Sequence, residues 1–349
     1  MLMRKFAFIF MLLNLLSLTT QTFAEHHDAS KVEEFLEMDL SQLMSVELGD
    51  LNPMGVHHTH DKGEFMVAYS SSFMKMGGNR DGSSGVHSSE VLRDFMVAPT
   101  EMTMTMQMFG IMYAPTDKTT IMTMIPYTNK SMKHINRMGV KFKTRSEGPG
   151  DLKTSVLYSI HKTEQHLAYI SGGLSFPTGS ISKRDTTPTG RGRLLYPMQL
   201  GSGTFDLLPA IAYMGRNEKW NWGAHLGGVI RSGENQHDYR LGDEYKGTVW
   251  LTREFSDQLS THVRLDSMIW DDIRGADSAL NPAMVPTADP HRRGGKRTDI
   301  GFGVNLLGTE GAAENHRLSV EFRIPVYQWL RGPQLETDWT LSVGWQKIF

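Results

Sequence analysis

The sequence predicts an all-β fold, an antiparallel transmembrane β-barrel of about 12 strands with a short N-terminal periplasmic helix. Three observations predict it. A charged start followed by a short apolar run reads as an export signal, and no later stretch is long and apolar enough for a spanning helix. From residue 64 onward, apolar residues recur with a period of two. The connections between these stretches alternate between short and long along the whole chain.

Residues 1–24 carry Arg4 and Lys5, an apolar run from Phe6 to Leu18, and the small residues Thr22 and Ala24 before a cleavage point. That is the layout of a secretory signal peptide. The apolar run falls short of the ~20 residues a spanning helix needs. Residues 25–63 form the second region, a periplasmic N-terminal helix and a His-rich segment. Over 30–48, Val32, Phe35, Leu36, Leu40, Leu43 and Met44 recur at helical spacing among Glu33, Glu34, Glu37 and Asp39. Ser30 and Glu33 are spaced as a capping box, and Gly49 ends the pattern.

The barrel is expected over 64–349. In 316–326, Leu318, Val320, Phe322, Ile324 and Val326 share one face, while Arg317, Ser319, Glu321 and Arg323 share the other. A buried helix would not place charge at every second position; a strand between lipid and a wet lumen does. Such stretches occur at 64–74, 101–113, 118–130, 150–161, 165–177, 203–216, 219–231, 245–256, 258–271, 297–307, 315–326 and 336–349. Each approximates the ~9–11 residues of a tilted crossing strand. The connections at 114–117, 162–164, 217–218, 257 and 308–314 are short. Those at 75–100, 131–149, 178–202, 232–244, 272–296 and 327–335 are longer and polar. Short periplasmic turns and long external loops produce this alternation, and an even strand count returns the C-terminus to the periplasmic side. The last strand alternates Trp339, Leu341, Val343, Trp345, Lys347 and Phe349. A terminal Phe on such a strand resembles the signal read by the barrel-assembly machinery, although Lys347 stands where an apolar residue is usual.

Composition removes several function classes. The chain has no cysteine, so a disulfide scaffold, a thiolate zinc site and a cysteine nucleophile are excluded. A formal net charge of −2 gives no reason to expect nucleic acid. The mean hydropathy of −0.34 is compatible with a barrel, whose strands average apolar and polar faces.

Several longer segments carry a family resemblance. They are "MGVHHTHDKGEFMVAYSSSFMKMGGNRDG", "VAPTEMTMTMQMFGIMYAPTDKTTIMTMIPY", "KSMKHINRMG", "GPGDLKTSVLYSI" and "SGGLSFPTGSI". Together they resemble the outer-membrane family named after the MetA pathway of phenol degradation, over most of the mature chain. "GDLK" and "GLSFPTGS" are the more specific parts, and the Met-rich block narrows the match to a subgroup. The resemblance implies a barrel of the porin or transporter type that moves aromatic or other small organic compounds. It brings no catalytic or binding residues with it.

Three sets of residues suggest chemistry. His57, His58, His60 and Asp61 precede the first strand, with His26, His27 and Asp28 further upstream. Imidazole and carboxylate suit zinc, copper or nickel, and the alternative is a solvated segment with incidental histidines. Met102, Met104, Met106, Met108 and Met112 share one strand face, and Met74, Met76, Met122, Met124, Met132 and Met138 bracket the same half of the barrel. Thioethers lining the lumen would suit Cu(I). The opposite face carries Glu101, Thr103, Thr105 and Gln107, which prefer water, so the Met face is expected to meet lipid. Lys153, Asp206, Lys246, Glu254, Arg264, Asp266, Arg317, Glu321, Arg323 and Asp338 are expected to line the lumen.

His225, His262 and Ser267 are inward candidates for a barrel hydrolase, but no motif fixes them and no enzyme is expected. The basic runs at 190–193 and 291–297 read as solvated loops or as contacts for lipopolysaccharide phosphates. The leading expectation is an outer-membrane channel or transporter for small solutes, aromatic or hydrophobic compounds among them. The alternative is an envelope protein binding copper or zinc through its His-rich and Met-rich segments. Expected partners are outer-membrane lipids, the barrel-assembly machinery through Phe349, and the solute itself.

Overall fold

The computed structural model describes residues 58–349. The expected signal peptide, the helix over 30–48 and His57 lie outside the described residues. Among the described residues no helix is long and apolar enough to cross a membrane, which says nothing of a β-barrel.

Long antiparallel strands make up the body. They are β1 (Phe65–Gly82), β2 (Val97–Thr116), β3 (Thr119–Asn136), β4 (Leu152–Lys162) and β5 (His166–Phe176). The next five are β6 (Ala210–Arg216), β7 (Trp220–Arg231), β8 (Glu244–Ser256), β9 (Leu259–Trp270) and β10 (Gly295–Leu307). The final extended segment, His316–Ile348, pairs with β10 through its first part and with β1 through its last part. Every pairing in the ring is antiparallel, and a closed ring of antiparallel neighbours needs an even number of strands. The final segment therefore counts as two legs, β11 before Gly332 and β12 after it. Gly332 has φ 74°, a conformation glycine adopts without a Cβ penalty. The legs lie side by side: Phe322 and Trp339 have ring centroids 6.0 Å apart, and Ile348 N donates to Asn315 O at 3.3 Å. The barrel is thus twelve-stranded.

Closure occurs at both chain ends of the ring. Phe65 N donates to Phe349 O at 3.2 Å, and Phe349 N donates to Phe65 O at 2.8 Å. Closing the sheet leaves no free edge for aggregation. The turns at the end carrying both of these residues are short, and the opposite end carries the long connections. The seven-residue helix α1 (Ser88–Asp94) sits in the first of these, and a short strand, Lys141–Pro149, extends the outer half of β3.

Alternation sorts side chains between lipid and lumen. Phe109, Ile111 and Tyr113 are 52%, 48% and 47% exposed, whereas Met102 and Met112 are 4% and 2% exposed. The methionine face of β2 therefore meets the lumen, and the expectation that it meets lipid is overturned. The reason is strand length. With 20 residues β2 is about twice as long as a crossing requires. Glu101 and Thr103 lie near its outer end, where Glu101 is ion-paired with Lys133 at 2.8 Å. The lipid-facing stretch is the Phe109–Tyr113 part alone.

Two single residues also depart from the expected alternation. Asp338 is exposed and points outward, because the β1–β12 register skips it: Lys75 opposes Trp339 and Met76 opposes Thr337. One extra residue in a bulge reverses the side on which it emerges. Ser267 is exposed on the outward face of β9 beside Val263 and Leu265, with its hydroxyl 3.1 Å from that of Thr298. It is separated by the sheet from the inward His225 and His262, so no Ser–His pair exists among these three.

Candidate functional site

The lumen has two unlike walls. On β1–β3 the inward side chains are dominated by methionine, and cross-strand register aligns them in rows. Met66 opposes Met112, which opposes Met122, near the periplasmic end; Met76 opposes Met102, which opposes Met132, near the outer end. Met66, Met112 and Met122 pack with Leu157, Leu167, Tyr169, Met214 and Trp250 in one apolar cluster inside the barrel.

The facing wall, on β8–β11, is a network of buried charge. Glu321 is 1% exposed and meets His262 Nε2 at 2.9 Å, Arg264 Nη2 at 2.9 Å and Arg323 Nε at 3.1 Å. Asp266 meets Arg264 Nε at 2.8 Å, Arg323 Nη1 at 3.3 Å and Lys246 Nζ at 3.4 Å, and accepts from Thr248 Oγ1 at 2.6 Å. Arg317 donates to Asn305 Oδ1 at 2.9 Å. Opposite charges within hydrogen-bond reach of one another offset the cost of burying each one.

Of the other residues expected to line the lumen, Lys153 lies on the boundary of two cavities. Asp206 is fully buried and paired with Arg231 at 2.6 Å. Glu254 accepts from the buried Asn221 at 2.6 Å near the periplasmic end.

Three cavities of about 230, 380 and 290 Å³ run along the interior. They share walls: Lys153 and Glu244 border the first and second, Met104, Trp270 and Arg293 the second and third, and Met268 the first and third. Methionines contribute to all three.

Both ends of this track are covered. At the periplasmic end the segment before β1 lies inside the ring. His58 and His60 are buried with ring centroids 4.5 Å apart, His60 N donates to Thr120 Oγ1 at 3.0 Å, and His60 Nδ1 lies 3.3 Å from Glu64. Asp61 is exposed and paired with Lys162. Among the described residues no three His, Asp or Glu side chains gather as a metal-binding group. At the outer end Tyr196–Met198 folds into the mouth. Lys130 Nζ donates to Pro197 O and Gln199 O at 2.9 and 2.5 Å, and Ser146 Oγ donates to Met198 O at 2.6 Å. Tyr196 packs edge-on against Tyr239 at 4.9 Å beside Ile273. Burial pushes the Tyr239 hydroxyl up to about 12.

The basic runs contribute to this cap. Arg193, in the small hairpin of Arg184–Thr187 and Gly190–Arg193, pairs with Asp277 at 2.9 Å. Arg293 is drawn into the mouth and borders two cavities; burial lowers its pKa to about 10, so it remains a cation at neutral pH.

One group that composition did not single out holds the cap down. Asp151 Oδ1 accepts from Gly179 N at 2.8 Å, and Oδ2 accepts from Ser202 N at 2.7 Å and Ser202 Oγ at 3.0 Å. Leu152 N donates to Thr178 Oγ1, which donates to Gly150 O, both at 2.9 Å. Asp151 belongs to "GDLK" and Thr178 and Gly179 to "FPTGS", so the two specific segments of the sequence meet in one knot. A Cβ on Gly201 would lie 2.4 Å from Asp151 Oδ1 and 2.5 Å from Gly179 O, so glycine is required for the approach. Their co-occurrence in the sequence was the available signal. An Asp151→Ala variant is expected to release the 178–202 loop from the mouth. Single-channel recording should then show higher conductance than wild type, and unchanged conductance would refute the latch.

A family model described as "Putative MetA-pathway of phenol degradation" matches residues 103–322. No curated protein matches the sequence. Among solved structures, the COG4313 outer membrane channel from Pseudomonas putida F1 aligns with TM-score 0.61 and 14% identity, over 85% of this chain and 99% of that one. That likeness shows the shared barrel fold. The P. putida toluene transporter TodX aligns with TM-score 0.42 and 8% identity, over 83% of this chain and 91% of that one.

Proposed function

The chain belongs to the MetA-pathway phenol-degradation family, and on that premise we propose that it carries small hydrophobic solutes, aromatic compounds among them, across the outer membrane. The observation that carries this reading is the run of adjoining cavities bordered by methionine along β1–β3. A polar-solute pore needs a continuous wet path. Here one wall presents flexible, polarizable thioethers that adapt to differently shaped apolar molecules. The charged wall is internally paired and holds the barrel's shape. The COG4313 protein, whose barrel fold this chain shares, is an outer membrane channel, which agrees with this role. No residue arrangement for chemistry is required, since pore shape and lining decide what passes.

Uptake of a radiolabelled monoaromatic by whole cells tests the reading. Cells expressing the protein should take it up several-fold faster than cells carrying an empty vector. Met104 borders two cavities, and Met104→Arg should abolish most of that gain while leaving a folded, heat-modifiable barrel. Equal uptake with and without the protein, together with rapid swelling of proteoliposomes in sugars, would replace the proposal with a porin for hydrophilic solutes.

A further inference from the structure

We propose that the outer end of the methionine wall is a binding site for a soft monovalent cation, Cu(I) or Ag(I), formed by Met76, Met102, Met132 and Met198. The inference begins with a segregation of side chains. Within 66–76, 102–112 and 120–132, every long apolar side chain on the inward face of β1–β3 is methionine. The outward face of the same stretches carries Val, Ile, Phe and Tyr, and no methionine. Apolar filling alone would use leucine or isoleucine on both faces. What distinguishes the inward residues is their sulfur.

Register then brings three sulfurs to one level. Met76 opposes Met102, and Met102 opposes Met132, so the three leave adjacent strands side by side. Directly opposed residues have Cβ atoms ~4.5–5.5 Å apart. Thioethers with three rotatable bonds can converge over that spacing. The fourth comes from the cap. Met198 is fully buried and packs on Met102 and Met132, with Met76 and the aliphatic Leu194 and Leu335 around them. Four thioethers in a largely apolar shell form a neutral, soft donor set that suits Cu(I) and its analogue Ag(I) rather than hard or divalent ions. The site is reachable, because Met76, Met102 and Met132 border the 290 Å³ cavity. Arg293 and Arg297 also line that cavity and oppose divalent ions more strongly than monovalent ones, and Arg297 is itself paired with Asp299 at 3.0 Å.

Silver is the probe, because it needs no reductant. The purified full-length protein in detergent is loaded with Ag(I), desalted and assayed for bound metal, with Zn(II) as a control. Met102→Leu/Met132→Leu preserves volume and removes two sulfurs. It should hold one Ag(I) per chain fewer than wild type, with heat-modifiability on gels showing the barrel intact. Met112→Leu/Met122→Leu, in the periplasmic row, should keep that equivalent. The proposal is overturned if wild type retains no silver, if the outer-row variant retains as much as wild type, or if the missing equivalent follows the periplasmic row instead. Solute uptake is independent of all these outcomes.

Discussion

Glu321→Ala should destabilise the folded barrel by about 3–5 kcal/mol, the loss typical of removing one partner from a buried ion network. Glu321 faces His262, Arg264 and Arg323 together, and its side chain is shielded from solvent. Removing it leaves Arg264 and Arg323 with Asp266 as their remaining carboxylate, already engaged by Lys246. The excess positive charge stays inside the wall, where it is poorly hydrated. Urea titration followed by tryptophan fluorescence reads the change. A companion variant separates lost packing from stranded charge. Glu321→Leu/Arg264→Leu removes both signs and restores volume, so it should recover part of the stability lost in the single variant. A Glu321→Ala protein within about 0.5 kcal/mol of wild type, the range of an ordinary surface change, would show the network to be hydrated and energetically idle.

The strand pattern was legible because it repeats. In 317–324 every inward position is polar and every outward one apolar, so one period determines the whole run. The structure keeps this through β11, with Arg317, Ser319 and Glu321 buried and Leu318, Val320 and Phe322 exposed. Alternation fails wherever a single residue is inserted, and bulges leave no mark in composition. Asp338 is such a residue. Ser267 was misplaced for a different reason: a short polar side chain suits either face near a membrane rim, so its identity carries no directional information. It sits outward beside Thr298.

The methionine face shows the limit of reading polarity along a whole strand. Glu101, Thr103, Thr105 and Gln107 are hydrophilic, but β2 runs past the lipid, and its outer portion meets water on the outside as well. The informative residues were Phe109, Ile111 and Tyr113, at the other end of the same face. What no periodicity could supply is the cap. The knot at Asp151 joins residues 28 and 51 positions apart, and the rim of the lumen is made where loops return to it.

Val263→Arg should impair insertion most among single changes on the outer face, by about 2–4 kcal/mol if the position lies at the bilayer midplane. Val263 sits between Leu251 on β8 and Phe302 on β10, and Phe302 opposes Phe322 on β11. All four are exposed in the isolated chain, a contiguous apolar row across four strands. Water would not tolerate such a band around the whole barrel, whereas hydrocarbon does. An arginine there must either bury its charge in lipid or snorkel several ångströms to the headgroups. Ser267→Arg provides the control, because it lies on the same face of the same strand two turns of the pleat nearer the outer rim, with Gly247 and Thr298 as neighbours. At the interface the same charge costs about 0–1 kcal/mol. Folding into phosphatidylcholine vesicles, scored by the heat-modifiable band across a urea series, compares the two. Equal tolerance of both substitutions would mean that the outer face of β9 does not meet the hydrocarbon core, and the assignment of lipid outside and lumen inside would have to be abandoned.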